Sequence, residues 1–328
     1  MSHEPEANST YRGRYAPSPT GRLHLGNLRT ALLAWLHARL SRGRFILRID
    51  DLDTPRNKPG SIEEIIADLH WLGLDWDEGP DIGGANGPYL QSGRLDHYEK
   101  FFDQLKTAHL IFSCTCSRKD VQLAQSAPNA GQIEPIYPGT CRPPEGWSQQ
   151  AAANRTPVSW RFLTRDITIT SQAELSEPTT VKLDKTIGDF VVKRKDGLYA
   201  YQFATVVDDG LMGITDIVRG SDLSDSMLRQ VALFDALGFS RPCFLHAPLM
   251  HDSLGGRMAK RDGSDSLEAW KSRDRAPEPL IGELASSCGL MDTAYPISCQ
   301  ELLERLNLED LLRSMSAARK SAAALNPA

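Results

Sequence analysis

This sequence contains no long hydrophobic run. No stretch of its 328 residues approaches the roughly 18 consecutive apolar residues that a membrane-spanning helix requires. The N-terminal residues, among them His3, Glu4 and Glu6, also lack the basic and apolar regions of a secretory signal peptide. We therefore expect a cytoplasmic protein without a membrane partner.

The sequence has no strong excess of positive or negative charge, and it contains few cysteines. The formal net charge is −5, which argues against an extensive surface for wrapping nucleic acid, although a local basic groove would not show in that total. The six cysteines of a cytoplasmic chain are expected to be free thiols or metal ligands rather than disulfides. The remaining composition, 41% hydrophobic and 24% charged residues, is that of a soluble globular protein with a substantial core.

The most informative segment lies near the N-terminus, where residues 14–27 read RYAPSPTGRLHLGN. Its first three residues end a predicted strand. Pro17, Pro19 and Gly21 then form a tight turn, because proline fixes φ and glycine accepts positive φ. An Ala- and Leu-rich helix follows over Leu28–Leu40. A strand, a turn and a helix N-terminus in this order present backbone N–H groups and a positive dipole end, which suit a phosphate group.

The next segments continue the alternation of strand and helix. Phe45–Ile49 is an apolar run of strand length. Ser61–Leu72 is a predicted amphipathic helix, with Ser61 as its N-cap and Glu64 completing a capping box. Arg94–Leu110 is a further predicted helix. This βαβα order predicts a parallel sheet that binds a nucleotide at the carboxyl ends of its strands.

The middle of the chain has a different composition. Residues 113–157 are rich in Cys, Pro, Gly and Gln, and we predict an irregular insertion there. Short strands and a hairpin turn are predicted after it, at Val158–Leu163, Phe190–Arg194, 195–197 and Leu198–Tyr201. The sheet is expected to resume near Gly213–Arg219, and the later predicted helices comprise Asp222–Leu237 and two short ones from Pro277 onward.

Three of the six cysteines lie within 28 residues, at Cys114, Cys116 and Cys141, and Tyr137 precedes the last of them by four positions. A structural zinc site requires four soft or borderline ligands in a tetrahedron. From the residues alone, the segment is either such a site or a set of three free, partly buried thiols. The other cysteines show no ligand spacing and are predicted to be structural thiols: Cys243, Cys288 and Cys299.

The segment at residues 14–27 resembles the nucleotide-binding signature of class I aminoacyl-tRNA synthetases, in particular their glutamyl branch. The resemblance implies that His24, Gly26 and Asn27 bind ATP, with His24 and Asn27 in catalytic roles. The family has a second histidine where this chain has Asn27. Residues 256–263, GRMAKRDG, resemble the K-M-S-K-S loop of the same synthetases and retain its second lysine as Lys260. Lys260 is implied to bind ATP and to stabilise the charge that develops on the departing pyrophosphate.

The same resemblance implies a glutamate pocket. Arginine suits the two carboxylates of the substrate because its planar fork binds them bidentately, and the ammonium group needs an anion. Asp50 is implied to take the ammonium group, at a position where the family usually has the longer glutamate. The other implied contacts are Arg14, Tyr15, Ala16, Pro17, Ser18, Tyr201 and Arg219.

Glutamyl-type synthetases also carry a zinc site in which a Y-x3-C segment supplies the last two ligands. The resemblance therefore implies one structural Zn²⁺ per chain, held by Cys114, Cys116, Tyr137 and Cys141. Tyrosine is an unusual zinc ligand, since the metal has to stabilise its phenolate form. A closed site with four protein ligands has no open position for water, so we expect no catalytic role for this metal.

The resemblance covers residues 11 to about 265, and 63 residues follow Asp265. A chain with this core and no anticodon-binding module resembles the glutamyl-Q tRNA(Asp) synthetase family, whose members activate glutamate with ATP without tRNA and transfer it to queuosine in the anticodon of tRNA(Asp). The implied partners are L-glutamate, ATP with Mg²⁺ and tRNA(Asp) carrying queuosine, and we expect a monomer. Three alternatives stay open: a truncated glutamyl-tRNA synthetase that charges a 3′ end, a small-molecule nucleotidyltransferase of the same superfamily, and a non-catalytic module derived from a synthetase.

The expected fold class is α/β, with the Rossmann-like parallel sheet of class I synthetases, a zinc-containing insertion and a short helical C-terminal region. Residues 11–112 and 201–265 are the predicted halves of the catalytic domain, separated by an insertion of the acceptor-binding type at 113–200. Residues 1–10 are predicted to be a disordered tail. Residues 266–328 are predicted to be a helical stub without an anticodon-binding domain.

Overall fold

The computed structural model describes residues 10–123, 136–147, 158–171, 178–223, 226–247, 267–273 and 276–325. Its strands are β1 Arg12–Tyr15, β2 Arg44–Leu47, β3 Ile111–Cys114, β4 Ser159–Phe162, β5 Thr168–Ser171, β6 Thr179–Lys182, β7 Phe190–Lys193, β8 Asp216–Gly220 and β9 Cys243–Ala247. Its α-helices are α1 Leu25–Leu40, α2 Ser61–Trp71, α3 Leu95–Thr107, α4 Arg118–Leu123, α5 Leu183–Thr186, α6 Tyr201–Leu211, α7 Ser226–Leu237, α8 Leu267–Arg273, α9 Glu278–Ser286, α10 Cys299–Arg305 and α11 Leu308–Leu325. The predicted loop at 256–263, with Lys260, lies outside the described residues.

The central sheet contains β2, β1, β8 and β9 in that order, and every neighbouring pair is parallel. The predicted parallel sheet is therefore confirmed. In its register Arg14 lies beside Ile46 and Arg219 lies beside His246. Because all four strands run in one direction, the residues that follow β1 and β2 meet the end of β8 at one edge of the sheet.

Helices cover both faces of this sheet, as a parallel sheet with two apolar faces requires. On one face α1 packs with α9, α10 and α11 around a core that includes Leu32, Leu284 and Leu311. On the other face α3, α6 and α7 pack around Phe102 and Phe203. No helix in the described part of the chain is both long enough and apolar enough to cross a membrane.

The segment between β2 and β8 adds a three-stranded antiparallel sheet of order β3-β4-β7 and the hairpin β5–β6. The hairpin turn predicted at 195–197 is confirmed. Gly197 has φ +88°, which glycine adopts without strain, and its N–H donates to the Arg194 carbonyl at 3.0 Å.

The strand predicted at Leu198–Tyr201 is wrong. Tyr199 forms an isolated bridge with Lys193, and helix α6 begins at Tyr201. The chain forms a helix here because the apolar side chains that follow recur at helical spacing and are buried on one face, as Phe203 and Val207 are.

Two predictions about helix ends also need correction. The N-cap of α2 is Gly60 rather than Ser61, and the helix has no side-chain cap hydrogen bond, so the predicted capping box with Glu64 does not form. Gly60 has φ +77°, and this left-handed turn leads the chain directly into the first helical residue. Between Pro277 and Leu325, the last residue that the structure describes, there are three helices rather than two, because Ser298 forms a capping box that starts α10 separately.

Candidate active site and metal centre

The turn after β1 is tied to the segment that follows β2. The Asp50 N–H donates to the Pro17 carbonyl at 2.9 Å, and the Lys58 N–H donates to the Pro19 carbonyl at 2.9 Å. Both prolines are buried, whereas Ser18 between them is exposed. These hydrogen bonds hold the turn at the carboxyl edge of the sheet, directly beside Asp50.

His24 is the N-cap of α1 and pairs with Asn27. The His24 Nδ1 accepts from the Asn27 N–H at 3.3 Å, while the Asn27 Oδ1 accepts from the His24 N–H at 3.4 Å. Together they form a capping box in which Asn27 has the reciprocal role. Gly26 leaves room for the imidazole, because a Cβ there would lie only 3.1 Å from two atoms of the His24 ring. The arrangement places an imidazole, an amide and backbone N–H groups at the positive end of the helix dipole.

Arg14 is buried on the sheet face that α6 covers. Its Nε and Nη2 donate to the two carboxylate oxygens of Asp209 at 3.3 Å each. Arg48 donates from Nη1 to the same carboxylate at 2.6 Å, and from Nε to Asp50 at 2.7 Å. A continuous series of ion pairs therefore joins Arg14 to Asp50, two residues that the resemblance assigns to opposite charges of one substrate.

Burial and pairing act in opposite directions on these carboxylates. Burial raises the pKa of Asp50 to about 6, although the nearby Arg48 guanidinium lowers it. Burial also opposes ionisation of Asp209, but the guanidiniums of Arg14 and Arg48 hold its pKa below the ordinary value. The pKa of Asp209 is thus shifted down, whereas the pKa of Asp50 is shifted up into a range that experiments can reach.

Arg219 lies near the end of β8, on the same sheet face as Arg14. Its Nη1 donates to Gln230 Oε1 at 2.5 Å, and its Nε lies 3.2 Å from His246 Nε2. Its guanidinium carbon lies 4.9 Å from the centre of the Phe244 ring. Side chains from α7 and β9 therefore fix the orientation of this buried cation.

Helix α6 brings three polar side chains to one stripe, at positions four residues apart. Tyr201 is the first residue of the helix and is 41% exposed. Thr205, one turn further, is 1% exposed, and its hydroxyl has no hydrogen-bond partner among the described residues. Asp209 follows one turn later. A buried hydroxyl without a partner is costly, so Thr205 marks a position that a ligand can satisfy.

The structure thus brings Arg14, Pro17, Asp50 and Arg219 to the carboxyl edge of the sheet. Tyr15 does not share their face, because its side chain belongs to the core on the α1 side. Ala16 is half-buried after the end of β1.

Sequence reasoning missed Arg48, Asp209, Thr205 and Gln230. The pairing of Arg48 with Asp209 joins positions 161 residues apart, so no local pattern indicates it. One signal was available. Val206-Val207-Asp208-Asp209 places two carboxylates inside an apolar helix, and buried carboxylates need cationic partners.

The predicted metal ligands converge in the insertion. The three sulfur atoms of Cys114, Cys116 and Cys141 all lie within 4.8 Å of one another. The Cys116 and Cys141 sulfurs are 3.6 Å apart, and Tyr137 Oη lies 3.4 Å from the Cys114 sulfur and 3.7 Å from that of Cys116. A tetrahedron with zinc–ligand bonds of about 2.1–2.3 Å has edges of about 3.4–3.8 Å. The four side chains therefore fit a metal ion of this size and preference.

The protonation of these groups depends on their surroundings. Burial raises the pKa of Tyr137 and opposes ionisation of Cys141, but hydrogen bonds from Tyr137 and Thr115 lower the pKa of Cys141 to about 6. Arg161 adds positive charge beside the cluster, because its Nε donates to the Cys114 sulfur at 3.3 Å and its guanidinium lies 4.0 Å from the centre of the Tyr137 ring. A phenolate at Tyr137 thus requires a cation, as metal ligation would supply.

Comparison with known proteins identifies the family. The family model described as class I tRNA synthetases (E and Q), catalytic domain, matches residues 10–321. A glutamyl-Q tRNA(Asp) synthetase of Symbiobacterium thermophilum is 46% identical over 304 residues, which make up 92% of this chain and 94% of that protein. The chain belongs to the glutamyl-Q tRNA(Asp) synthetase family. The predicted family and the predicted ligase-type enzyme class are confirmed.

Two further comparisons extend this result. A second glutamyl-Q tRNA(Asp) synthetase, from Deinococcus radiodurans, is 44% identical and aligns over 90% of this chain and 95% of its own length. The crystal structure of a glutamate-tRNA synthetase from Elizabethkingia anophelis superposes with a TM-score of 0.77 at 30% identity. The alignment covers 92% of this chain but 66% of that synthetase. The class I synthetase fold is confirmed, and the function is that of a glutamate-related class I tRNA synthetase.

Proposed function

We propose that this chain activates L-glutamate with ATP, without a tRNA, and transfers the glutamyl group to the queuosine base in the anticodon of tRNA(Asp). The observation that carries the proposal is the set of charges at the carboxyl edge of the sheet. Arg14, Asp50 and Arg219 match a molecule with two carboxylates and one ammonium group. The choice of acceptor is supported by relatives named glutamyl-Q tRNA(Asp) synthetase that align over at least 90% of both lengths.

In this proposal Arg14 and Arg219 bind the carboxylates of glutamate, and Asp50 binds its ammonium group. Ala16, Pro17 and Ser18 line the turn beside it, and Tyr201 lies at the exposed start of α6. Asp50 is one methylene shorter than the glutamate usual in the family, so the ammonium group lies deeper or reaches Asp50 through a water molecule.

The activation step is an in-line displacement at phosphorus. A carboxylate oxygen of glutamate bonds to the α-phosphorus of ATP, and the bond from that phosphorus to the bridging oxygen breaks. Pyrophosphate leaves with the electron pair. His24, Gly26 and Asn27 at the N-terminus of α1 position the phosphates, and Lys260 stabilises the charge on the leaving group. ATP enters as its Mg²⁺ complex.

The transfer step needs no nucleophile from the protein. A hydroxyl oxygen of the queuosine cyclopentene ring attacks the carbonyl carbon of glutamyl adenylate, and the bond from that carbon to the phosphate oxygen breaks. AMP leaves, and the hydroxyl proton passes to solvent. The mixed anhydride is already activated, so positioning is the main task of the enzyme.

We further propose that Cys114, Cys116, Tyr137 and Cys141 hold one structural Zn²⁺. The spacing of the four donor atoms supports this assignment. We propose the following domain boundaries: catalytic halves at 11–112 and 201–265, an insertion at 113–200 and a C-terminal region at 266–328. We also propose that the enzyme acts as a monomer.

The acceptor is tested with labelled glutamate and ATP offered together with three tRNAs. These are tRNA(Asp) carrying queuosine, tRNA(Asp) lacking it, and tRNA(Glu). We expect label on the first alone. Label on tRNA(Glu), or equal label on both forms of tRNA(Asp), would refute the proposed acceptor and favour a synthetase that charges a 3′ end.

The activation step is tested separately by ATP–pyrophosphate exchange without tRNA. We expect exchange that depends on glutamate in the native enzyme and its loss in Lys260→Ala. The absence of exchange in the native enzyme would count against activation without tRNA. Full exchange in the variant would remove Lys260 from the proposed mechanism.

Glutamate binding should weaken in acid because Asp50 has to be ionised to pair with an ammonium group. Its pKa is raised to about 6, so the carboxylate is lost as the pH falls through that value. We expect the Kd for glutamate to rise about tenfold between pH 7 and pH 5, measured by calorimetry. Asp50→Asn should bind more weakly and show a nearly flat profile, and an unchanged slope in that variant would assign the titration to another group.

A further inference from the structure

Two adjacent carboxylates lie at the end of α6, and each is completely buried. Asp208 and Asp209 are both 0% exposed, in a helix whose other buried residues are mainly apolar. A buried carboxylate is costly unless it is paired and hydrogen-bonded. The partners of each carboxylate therefore indicate its role.

The hydrogen-bond partners of Asp208 come from the segment before α3 and from α3 itself. Arg94 Nε donates to it at 2.6 Å, Gln91 Nε2 at 2.8 Å and the Tyr98 hydroxyl at 2.9 Å. None of these three hydrogen-bond donors belongs to the proposed substrate pocket. Arg48 also faces Asp208, but its Nε lies 3.7 Å from that carboxylate, beyond hydrogen-bond distance. Asp208 therefore joins α6 to α3 and explains the packing of the two helices.

The partners of Asp209 come from the proposed pocket. Arg14 reaches it through Nε and Nη2 at 3.3 Å, and Arg48 reaches it through Nη1 at 2.6 Å. Arg48 also donates to Asp50 at 2.7 Å. The Asp209 carboxylate thus contacts Arg14, which is proposed to bind a substrate carboxylate. Through Arg48 it is also linked to Asp50, which is proposed to bind the ammonium group.

The edge of Arg14 that Asp209 occupies is also informative. A guanidinium has two edges that can bind a carboxylate bidentately, and the contact with Asp209 uses the Nε–Nη2 edge. A guanidinium held in this way can still offer its Nη1–Nη2 edge to a second carboxylate. Asp209 therefore orients Arg14 through one edge of the guanidinium and leaves the other edge able to bind a substrate carboxylate.

We propose that Asp209 is a positioning residue for glutamate, which holds Arg14 directly and Asp50 through Arg48 so that both ends of the amino acid meet prearranged partners. This inference rests on the proposed function. It predicts that loss of the Asp209 charge weakens recognition of glutamate far more than recognition of ATP. Asp208, its neighbour in the same helix, serves as the matched control.

The test compares Asp209→Asn with Asp208→Asn in ATP–pyrophosphate exchange. Each variant keeps the shape of the side chain and removes one buried negative charge from the same helix. For Asp209→Asn we expect the glutamate KM to rise about 10- to 100-fold, the range for a lost hydrogen bond to a charged group, with the KM for ATP and kcat within about twofold. For Asp208→Asn we expect a glutamate KM within about twofold of the native value and a comparable loss of thermal stability.

Equal changes in glutamate KM in the two variants would show that Asp209 is merely structural, and an unchanged KM in Asp209→Asn would equally overturn the proposal. If Asp209→Asn does not fold, Arg48→Lys replaces it, because lysine keeps the charge but not the fork that joins Asp209 to Asp50. The same rise in glutamate KM is then expected, and an unchanged KM overturns the proposal.

The outcome is separable from that of the proposed function. A native enzyme that binds glutamate in calorimetry but shows no exchange would refute the activation step, and the same variants would then be compared by their Kd for glutamate. A native enzyme that binds no glutamate would overturn both.

Discussion

Replacement of Cys141 by serine is expected to abolish binding of the proposed zinc ion and to destabilise the insertion. Cys141 supplies one of three sulfurs that lie within 4.8 Å of one another, and its amide also donates to Tyr137 Oη at 2.7 Å. Binding of structural zinc is worth about 10–16 kcal/mol in small domains, so loss of one ligand removes a large share of the local stability. We expect the zinc content to fall from about one ion per chain to a small fraction of that value, measured by elemental analysis.

The same variant should unfold at a lower temperature. A loss of about 3–5 kcal/mol corresponds to a drop of roughly 6–20 °C in the Tm of a domain of this size. Cys243→Ser is the matched control, because Cys243 is exposed at the start of β9 and lies outside the cluster. It should keep both the metal and the Tm. Stoichiometric zinc retained in Cys141→Ser would refute the proposed ligand set.

The largest effect on stability alone is expected for Arg94→Met. Arg94 is 1% exposed, and its Nε donates to Asp208 at 2.6 Å. Its Nη1 donates to the carbonyls of Asn86 and Pro88 at 3.1 and 2.9 Å. Methionine fills a similar volume, but the buried carboxylate of Asp208 then loses the ion pair with Arg94. Removing one partner of a buried pair costs about 3–5 kcal/mol, and we expect a loss in that range from urea unfolding at pH 7.

Arg44→Met is the control for this prediction. Arg44 also pairs with a buried carboxylate, Glu78, but it is 59% exposed and its contact is 3.5 Å long. Exposed pairs contribute about 0–1 kcal/mol because water and salt screen them. An equal loss of unfolding free energy in the two variants would contradict the prediction, because it would mean that the buried Arg94–Asp208 pair contributes no more than the exposed pair.

The first motif shows what short-range chemistry can predict. Proline and glycine placed the turn between β1 and α1, and the run of Ala and Leu placed the helix, because these preferences act over a few residues. The cysteine spacing likewise indicated a metal centre, and its sulfur atoms do converge. The choice of Ser61 as an N-cap failed for an equally local reason, since Gly60 takes a left-handed conformation that no spacing rule considered.

The candidate site shows where such prediction stops. Arg14 and Asp50 were assigned to glutamate from a resemblance, and nothing in the sequence indicated that Asp209 and Arg48 connect them. Arg14 and Asp209 are 195 positions apart, and their contact exists because α6 packs on the face of the sheet from which Arg14 projects.

The sequence by itself therefore determined the local elements and the chemical groups of this protein: a turn between a strand and a helix, a capped helix, a cluster of thiols and charged residues near strand ends. Only the tertiary structure decided which carboxylate meets which arginine. The physical reason is that turns and caps depend on the φ and ψ preferences of adjacent residues, whereas a buried ion pair depends on desolvation and distance. Both are set by elements that become neighbours only after the sheet and its helices have packed.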